Sequence, residues 1–319
     1  MSVYTALTSK EFSALLTHYP LGKLIHFEGI QAGIENTNYF VYTTRGEYVF
    51  TLFETIHRQE LDFYVSLLDK LSATGIASPH PHHDLEQKII NEIHGKPFIF
   101  VSRLQGKSPN VINTEQCKAI AAELAKLHTT SLSFESPMTN RRGTSWLETT
   151  AQLLSATVSA SDSRLIQREL TLYQALDESP LPGGIIHADL FKDNALFVDN
   201  QLTGIIDFYD ACYDALLLDV AVTVNAWCVN PYGSLNQELY SVFMAEYQAV
   251  RPFTTDEICK WNMMLRRAAM RFWLSRLEAK HNPRAGDLTQ AKDPALFKNI
   301  LLFHIQHENQ TDFKIKQLS

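Results

Sequence analysis

The segment His187-Ala-Asp-Leu-Phe-Lys-Asp-Asn194 spaces a histidine, an aspartate and an asparagine as H-x-D-x-x-x-x-N, and Gly204-Ile-Ile-Asp-Phe-Tyr209 then delivers Asp207 at the end of an apolar run. Transfer of a phosphoryl group to a hydroxyl asks for few protein groups: a carboxylate that orients or deprotonates the hydroxyl, oxygen ligands for Mg²⁺, and donors around the phosphates. Asp189 fits the first role, and Asn194 with Asp207 fits the second. A lone Asp or Asn near a turn is most often a cap or turn residue; here the argument rests on the conjunction. His187 belongs to the catalytic set as the residue that fixes the loop through hydrogen bonds rather than as a base. Asp219, read as the opening of a helical stretch, is expected to cap that helix and brace the loop. Asp193 and Asp210, beside the motif residues, read as solvated or turn-forming.

The elements that must position these residues follow from the patterning. Asn38–Thr43 and Tyr48–Phe53 are β-branched and aromatic around a Thr44–Glu47 turn, which predicts a hairpin. Leu61, Tyr64, Val65, Leu68 and Leu71 recur at helical spacing, and Gly75 stops that helix. Two short strands, Lys88–Ile93 and Pro97–Leu104, follow around His94-Gly95-Lys96. Beyond Pro109 the pattern turns helical, with Thr114 as the N-cap of a helix running to His128. The exception is Ala195–Val198 and Leu202–Ile206 around Asp199-Asn-Gln201, a hairpin that would return Asn194 and Asp207 to one sheet edge. A boundary at 104/105 thus separates residues 1–104, a sheet lobe with one helix on the nucleotide phosphate side, from residues 105–319, a helical lobe holding the catalytic loop, metal and acceptor. The fold class is α+β, in the two-lobed plan of the protein kinases.

Composition excludes several partners. The 319 residues carry a formal net charge of −7, and no Lys/Arg run exceeds the pairs Arg141-Arg142 and Arg266-Arg267. This argues against nucleic acid and anionic membranes. Ala215–Trp227 is apolar but too short to span a bilayer, and the N-terminus lacks a basic stretch leading into an apolar one, so a cytoplasmic protein is expected. Cys117, Cys212, Cys228 and Cys259 form no C-x-x-C pair and read as reduced, buried thiols. His80-Pro-His-His83 reads as a solvated loop, not a metal site.

His187–Asn194, Ile206-Asp-Phe208 and Asp219-Val-Ala221 together resemble the aminoglycoside phosphotransferase and choline kinase superfamily. More narrowly, Gly33–Phe40, Tyr48–Glu54, Asp219–Cys228 and Arg271-Phe-Trp-Leu-Ser-Arg276 resemble the bacterial homoserine kinases of that superfamily. The resemblance implies an aminoglycoside phosphotransferase-like fold and transfer of the ATP γ-phosphate, with Mg²⁺, to L-homoserine on the route to threonine. Another alcohol of the superfamily (choline, an aminoglycoside, a sugar derivative) and a nucleotide-binding pseudokinase are the alternatives, and the oligomeric state stays open. The strand Lys that pairs ATP phosphates is missing: Thr51 or Leu52 stands in its place, as in the homoserine kinase pattern, so Glu60 lacks the partner of a kinase helix glutamate. The usual G-x-G-x-x-G is also absent. Gly33, Asn36 and Asn38 are the substitutes for holding phosphate, and Gln105 marks the adenine end. For the charged ends of the acceptor the candidates are Arg266, Arg267, Arg271, Asp210 and Tyr209.

Overall fold

The computed structural model describes residues 4–30, 36–56, 58–134, 138–281, 292–308 and 314–315, so Gly33 lies outside the described residues. Two compact units emerge: Met1–Gln105 with Gly204–Ile206, and Gly106–Thr203 with Asp207–Ser319.

The first unit is an antiparallel five-stranded sheet with strand order β1-β2-β3-β5-β4: β1 (Leu24–Gly29), β2 (Asn36–Thr43), β3 (Gly46–Phe53), β4 (Asn91–Ile93) and β5 (Lys96–Ser102). The expected hairpin is there, with Thr43 opposite Gly46 and Asn38 opposite Thr51. Every second residue of β2 is buried, the period-two signature of a half-buried strand. Tyr39, Val41, Phe50, Leu52, Phe98 and Phe100 form the core, onto which α1 (Ser9–Leu16) lays Phe12. In α2 (Arg58–Ala73), Leu61, Tyr64, Val65, Leu68 and Leu71 are all buried, as their spacing requires.

Two boundaries stand out against expectation. β4 starts only at Asn91, because the Asp84 carboxylate takes the N–H groups of Glu86 and Lys88, both at 2.8 Å, and holds the preceding residues in a turn. The helix after the first unit, α3 (Thr114–Ser131), is capped by Asn113 rather than Thr114. Asn113 and Gln116 exchange side-chain and backbone bonds as a capping box. The helix α1 was not expected, and β1 was expected only as a strand somewhere before Gly33, without bounds.

The second unit continues with α4 (Thr144–Leu154), α5 (Ala160–Gln174), β6 (Gly183–Ile186), β7 (Ala195–Val198), β8 (Gln201–Ile205), β9 (Cys212–Ala215), α6 (Leu216–Trp227), α7 (Gln237–Val250), α8 (Thr255–His281) and α9 (Ala295–Gln306). β7 and β8 pair as the expected hairpin. β6 pairs antiparallel with β9, which replaces the helix expected from Asp214. α6 is buried on nearly all sides, which explains its apolar run, and no described helix is long and apolar enough to cross a membrane. All four cysteines are free, but Cys259 is exposed rather than buried.

Candidate active site

β6 leads straight into the catalytic loop. The backbone N–H of His187 donates to Asp219 Oδ2 at 2.7 Å, and that of Ala188 donates to Asp219 Oδ1 at 2.8 Å. Ala188 adopts the left-handed region at φ 65°, which costs an L-residue on the order of 1 kcal/mol and is offset by two charge-assisted bonds to one carboxylate. The reversal lets Asp189 N–H donate back to His187 Nδ1 at 3.3 Å, leaving the imidazole proton on Nε2. His187 is completely buried and packs against the Phe208 ring at 4.6 Å between centroids, so it holds the loop in shape. A single 3-10 turn, Lys192–Asn194, then brings Asn194 under Asp189: Asn194 Nδ2 donates to the Asp189 carbonyl at 2.9 Å and to its carboxylate at 3.1 Å. With Nδ2 so engaged, the amide oxygen of Asn194 is the atom left to face a cation.

Asp207 is also left-handed, at φ 66° and ψ 59°, and opens the turn Phe208–Asp210. Its charge reaches Asp189. Burial first, then Asp210 and Asp207 against the opposing pull of Arg271 and Arg142, push the Asp189 carboxyl up to about 7. A carboxylate in that range suits proton transfer near neutral pH. The amide oxygen of Asn194 and the Asp207 carboxylate are hard oxygen donors, which fits Mg²⁺. Among the described residues no group of three or more His, Cys, Asp or Glu side chains gathers as a metal cage.

Asp219 is the centre of a buried brace. It sits in the first turn of α6, whose N-cap is Ala215, so it does not cap the helix as expected but does hold the loop. His128 Nε2 lies 3.1 Å from its Oδ2, His128 Nδ1 lies 2.7 Å from the Tyr247 hydroxyl, Arg251 donates to that hydroxyl at 3.2 Å, and Glu257 accepts from Arg251 at 2.9 Å. Burial alone would raise the Asp219 carboxyl; His128 and the backbone donors outweigh it and hold the group below its ordinary range. Trp227 Nε1 adds a bond to the Leu190 carbonyl at 2.9 Å. Sequence reading missed His128, Tyr247 and Trp227. The only signal was a polar tip on otherwise apolar helix faces.

The arginines separate clearly. Arg266 is consumed by a buried two-point pair with Glu169 at 2.8 and 2.9 Å, and Arg267 is held by Glu178. Arg271 donates to the Ala188 carbonyl and lies 3.5 Å from Asp210, which Arg142 also meets at 3.0 Å. Asp210 thus ends the turn Phe208–Asp210 as expected but is ion-paired rather than solvated, whereas Asp193 is half exposed beside Lys292. In the first unit, Asn36 and Asn38 lie on β2 rather than in a loop. Asn38 accepts from the buried Thr51 at 2.7 Å, and Gln105 reaches Glu47 at 3.5 Å. His82 is partly buried against Ser102, and burial drives it down to about 4.

A sheet unit followed by a helical unit that carries Asp189 and Asn194 in one loop and Asp207 at the turn after the next hairpin is the plan of the kinase-like phosphotransferases. The chain belongs to the phosphotransferase enzyme family, which residues 26–253 match. It is 42% identical over 310 residues to a homoserine kinase from Methylobacillus flagellatus, covering 97% of both chains. A homoserine kinase from Janthinobacterium is 40% identical over 311 residues, covering 96% of this chain and 97% of that one. Among solved structures, an amicoumacin kinase in complex with AMP-PNP, Ca²⁺ and its antibiotic superposes with a TM-score of 0.68 at 16% identity, covering 98% of this chain and 96% of that one.

Proposed function

We propose that this protein is an ATP-dependent homoserine kinase. The near-full-length identity to homoserine kinases carries the acceptor assignment, and the pairing of Asp189 with Asn194 supports the chemistry. The acceptor hydroxyl oxygen attacks the γ-phosphorus of ATP, the bond from that phosphorus to the β,γ-bridging oxygen breaks, and ADP and O-phospho-L-homoserine form. Asp189 orients the hydroxyl and accepts its proton. Asn194, through its amide oxygen, and Asp207 would hold Mg²⁺, which supplies charge neutralisation at the phosphates. His187 keeps the loop closed behind Asp189. We assign nucleotide contacts to Asn36 and Asn38 in residues 1–104 and to Gln105 at the boundary, and acceptor and metal binding to residues 105–319.

The test is ADP release by the purified protein across L-homoserine, choline, an aminoglycoside and a sugar alcohol, with and without Mg²⁺. Asp189→Ala is expected to lower kcat on homoserine roughly 100- to 10,000-fold, the usual worth of a positioned general base, while ATP binding persists. Parental turnover by that variant would refute the role of Asp189, and a parent that ignores homoserine would refute the acceptor.

A further inference from the structure

Arg142 and Arg271 share a single counter-ion. Asp210 Oδ2 accepts from Arg142 Nη1 at 3.0 Å and lies 3.5 Å from Arg271 Nη2, so two guanidiniums face one carboxylate. Arg271 is 3% exposed, and its buried Nε has no hydrogen-bond partner among the described residues. Leaving a buried guanidinium donor unmet is expensive, and a native site tolerates it where an outside group completes the set. The neighbouring arginines of α8 show the contrast, for Arg266 and Arg267 are matched by Glu169 and Glu178. Arg142 keeps about a third of its side chain exposed (32%), which leaves the cluster open to solvent on that side.

The location is the catalytic one. Arg271 Nη1 donates to the carbonyl of Ala188, the residue before Asp189. Arg142 is tied to the same place through Asp210, which it shares with Arg271. A carboxylate held there would lie at one end of a short acceptor whose hydroxyl meets Asp189 at the other. Arginine suits that task because its planar fork matches a carboxylate in two bonds.

We infer that Arg142 and Arg271 receive the carboxylate of the acceptor and so select an amino-acid alcohol over a simple amino alcohol, Asp210 keeping the two guanidiniums in place while the site is empty. The inference rests on the homoserine reading above. Arg142 and Arg271 are positioning and specificity residues in this account, with Asp189 carrying the chemistry.

Steady-state rates with L-homoserine and with 3-aminopropan-1-ol, the same amino alcohol without its carboxylate, test it. For Arg142→Met the preference for homoserine, as a ratio of kcat/KM values, is expected to fall roughly 30-fold, through KM more than kcat, as for a lost charged hydrogen bond. Arg142→Lys keeps the charge without the fork and should recover part of the ratio. Turnover of 3-aminopropan-1-ol reports that each variant is folded. An unchanged ratio, with both acceptors losing rate together or neither losing it, overturns the inference while leaving the homoserine assignment standing. A parent enzyme that does not turn over homoserine overturns that assignment instead.

Discussion

Replacing Asp219 by Asn keeps the size of the side chain and removes one acceptor and the charge. In the native protein three donors converge on it: the N–H groups of His187 and Ala188 at 2.7 and 2.8 Å and His128 Nε2 at 3.1 Å, all fully buried. The asparagine oxygen can keep one side of that set, but its NH₂ then faces a donor on the other. Losing a charge-assisted bond and leaving a buried N–H unmet costs about 3 kcal/mol together. At about 1.5 °C per kcal/mol for a chain of this length, the melting temperature should fall by about 4–5 °C. The same two N–H groups set the reversal at Ala188 that aims Asp189. A displacement of about 1 Å there is worth about 100-fold in rate, so kcat on homoserine should drop by that order while the KM for ATP changes little. Differential scanning fluorimetry and coupled ADP release at saturating substrates measure the two effects. A variant that melts within a degree or two of the parent and keeps kcat within twofold would show that the loop holds its shape without Asp219.

Arg266→Met strands the Glu169 carboxylate in the interior and is expected to cost about 3–5 kcal/mol by urea denaturation, and Glu169→Leu in the same chain should recover most of it. If the single variant is as stable as the parent, the pair is not a structural one. His304 donates to Asn225 at 2.8 Å, and burial, assisted by Arg266 and His307, pushes it down to about 3. Because the folded value lies below the unfolded 6.5, the unfolded chain takes up the proton first, so this contribution is intact above pH 6.5 and is lost as the pH falls toward 3. Between pH 7 and pH 5 the parent should lose about 2 kcal/mol more stability than His304→Gln, from 1.36 kcal/mol per pH unit over about 1.5 units. Parallel declines in the two proteins would refute it.

The fold of the loop His187–Asn194 was legible because its contacts are local. Asp189 and Asn194 are five positions apart, and one left-handed residue and one 3-10 turn suffice to join them. The β2–β3 hairpin and α2 were legible for the same reason, their periods being carried by consecutive residues. What failed depends on distant partners. Nothing near His128 in the chain announces Asp219 or Tyr247, more than ninety positions away. Asp210 looked like a turn residue because its two arginines come from residues 142 and 271. Likewise Arg266, Arg267 and Arg271 of α8 are indistinguishable by spacing, and only tertiary packing assigns Glu169 to the first and Glu178 to the second. Asp214 and Ala215, the last two residues of β9, were read as helix because the apolar period of α6 runs on directly from them.

The first unit is not one stretch of chain. Gly204–Ile206 belongs to it: Ile205 N–H donates to the Ala77 carbonyl at 2.7 Å, and an added Cβ at Gly204 would stand 2.1 Å from Leu104 Cδ1. A gene segment ending at Gln105 therefore encodes an incomplete module, lacking three residues that are made almost a hundred codons later. Exchange of this unit between genes would need a matched second crossover just upstream of Asp207, and during synthesis the unit can close only after the ribosome has already passed Asp189 and Asn194. The residues that finish the sheet unit and the residue that completes the acidic loop are thus inherited as one uninterrupted stretch, Gly204-Ile-Ile-Asp207.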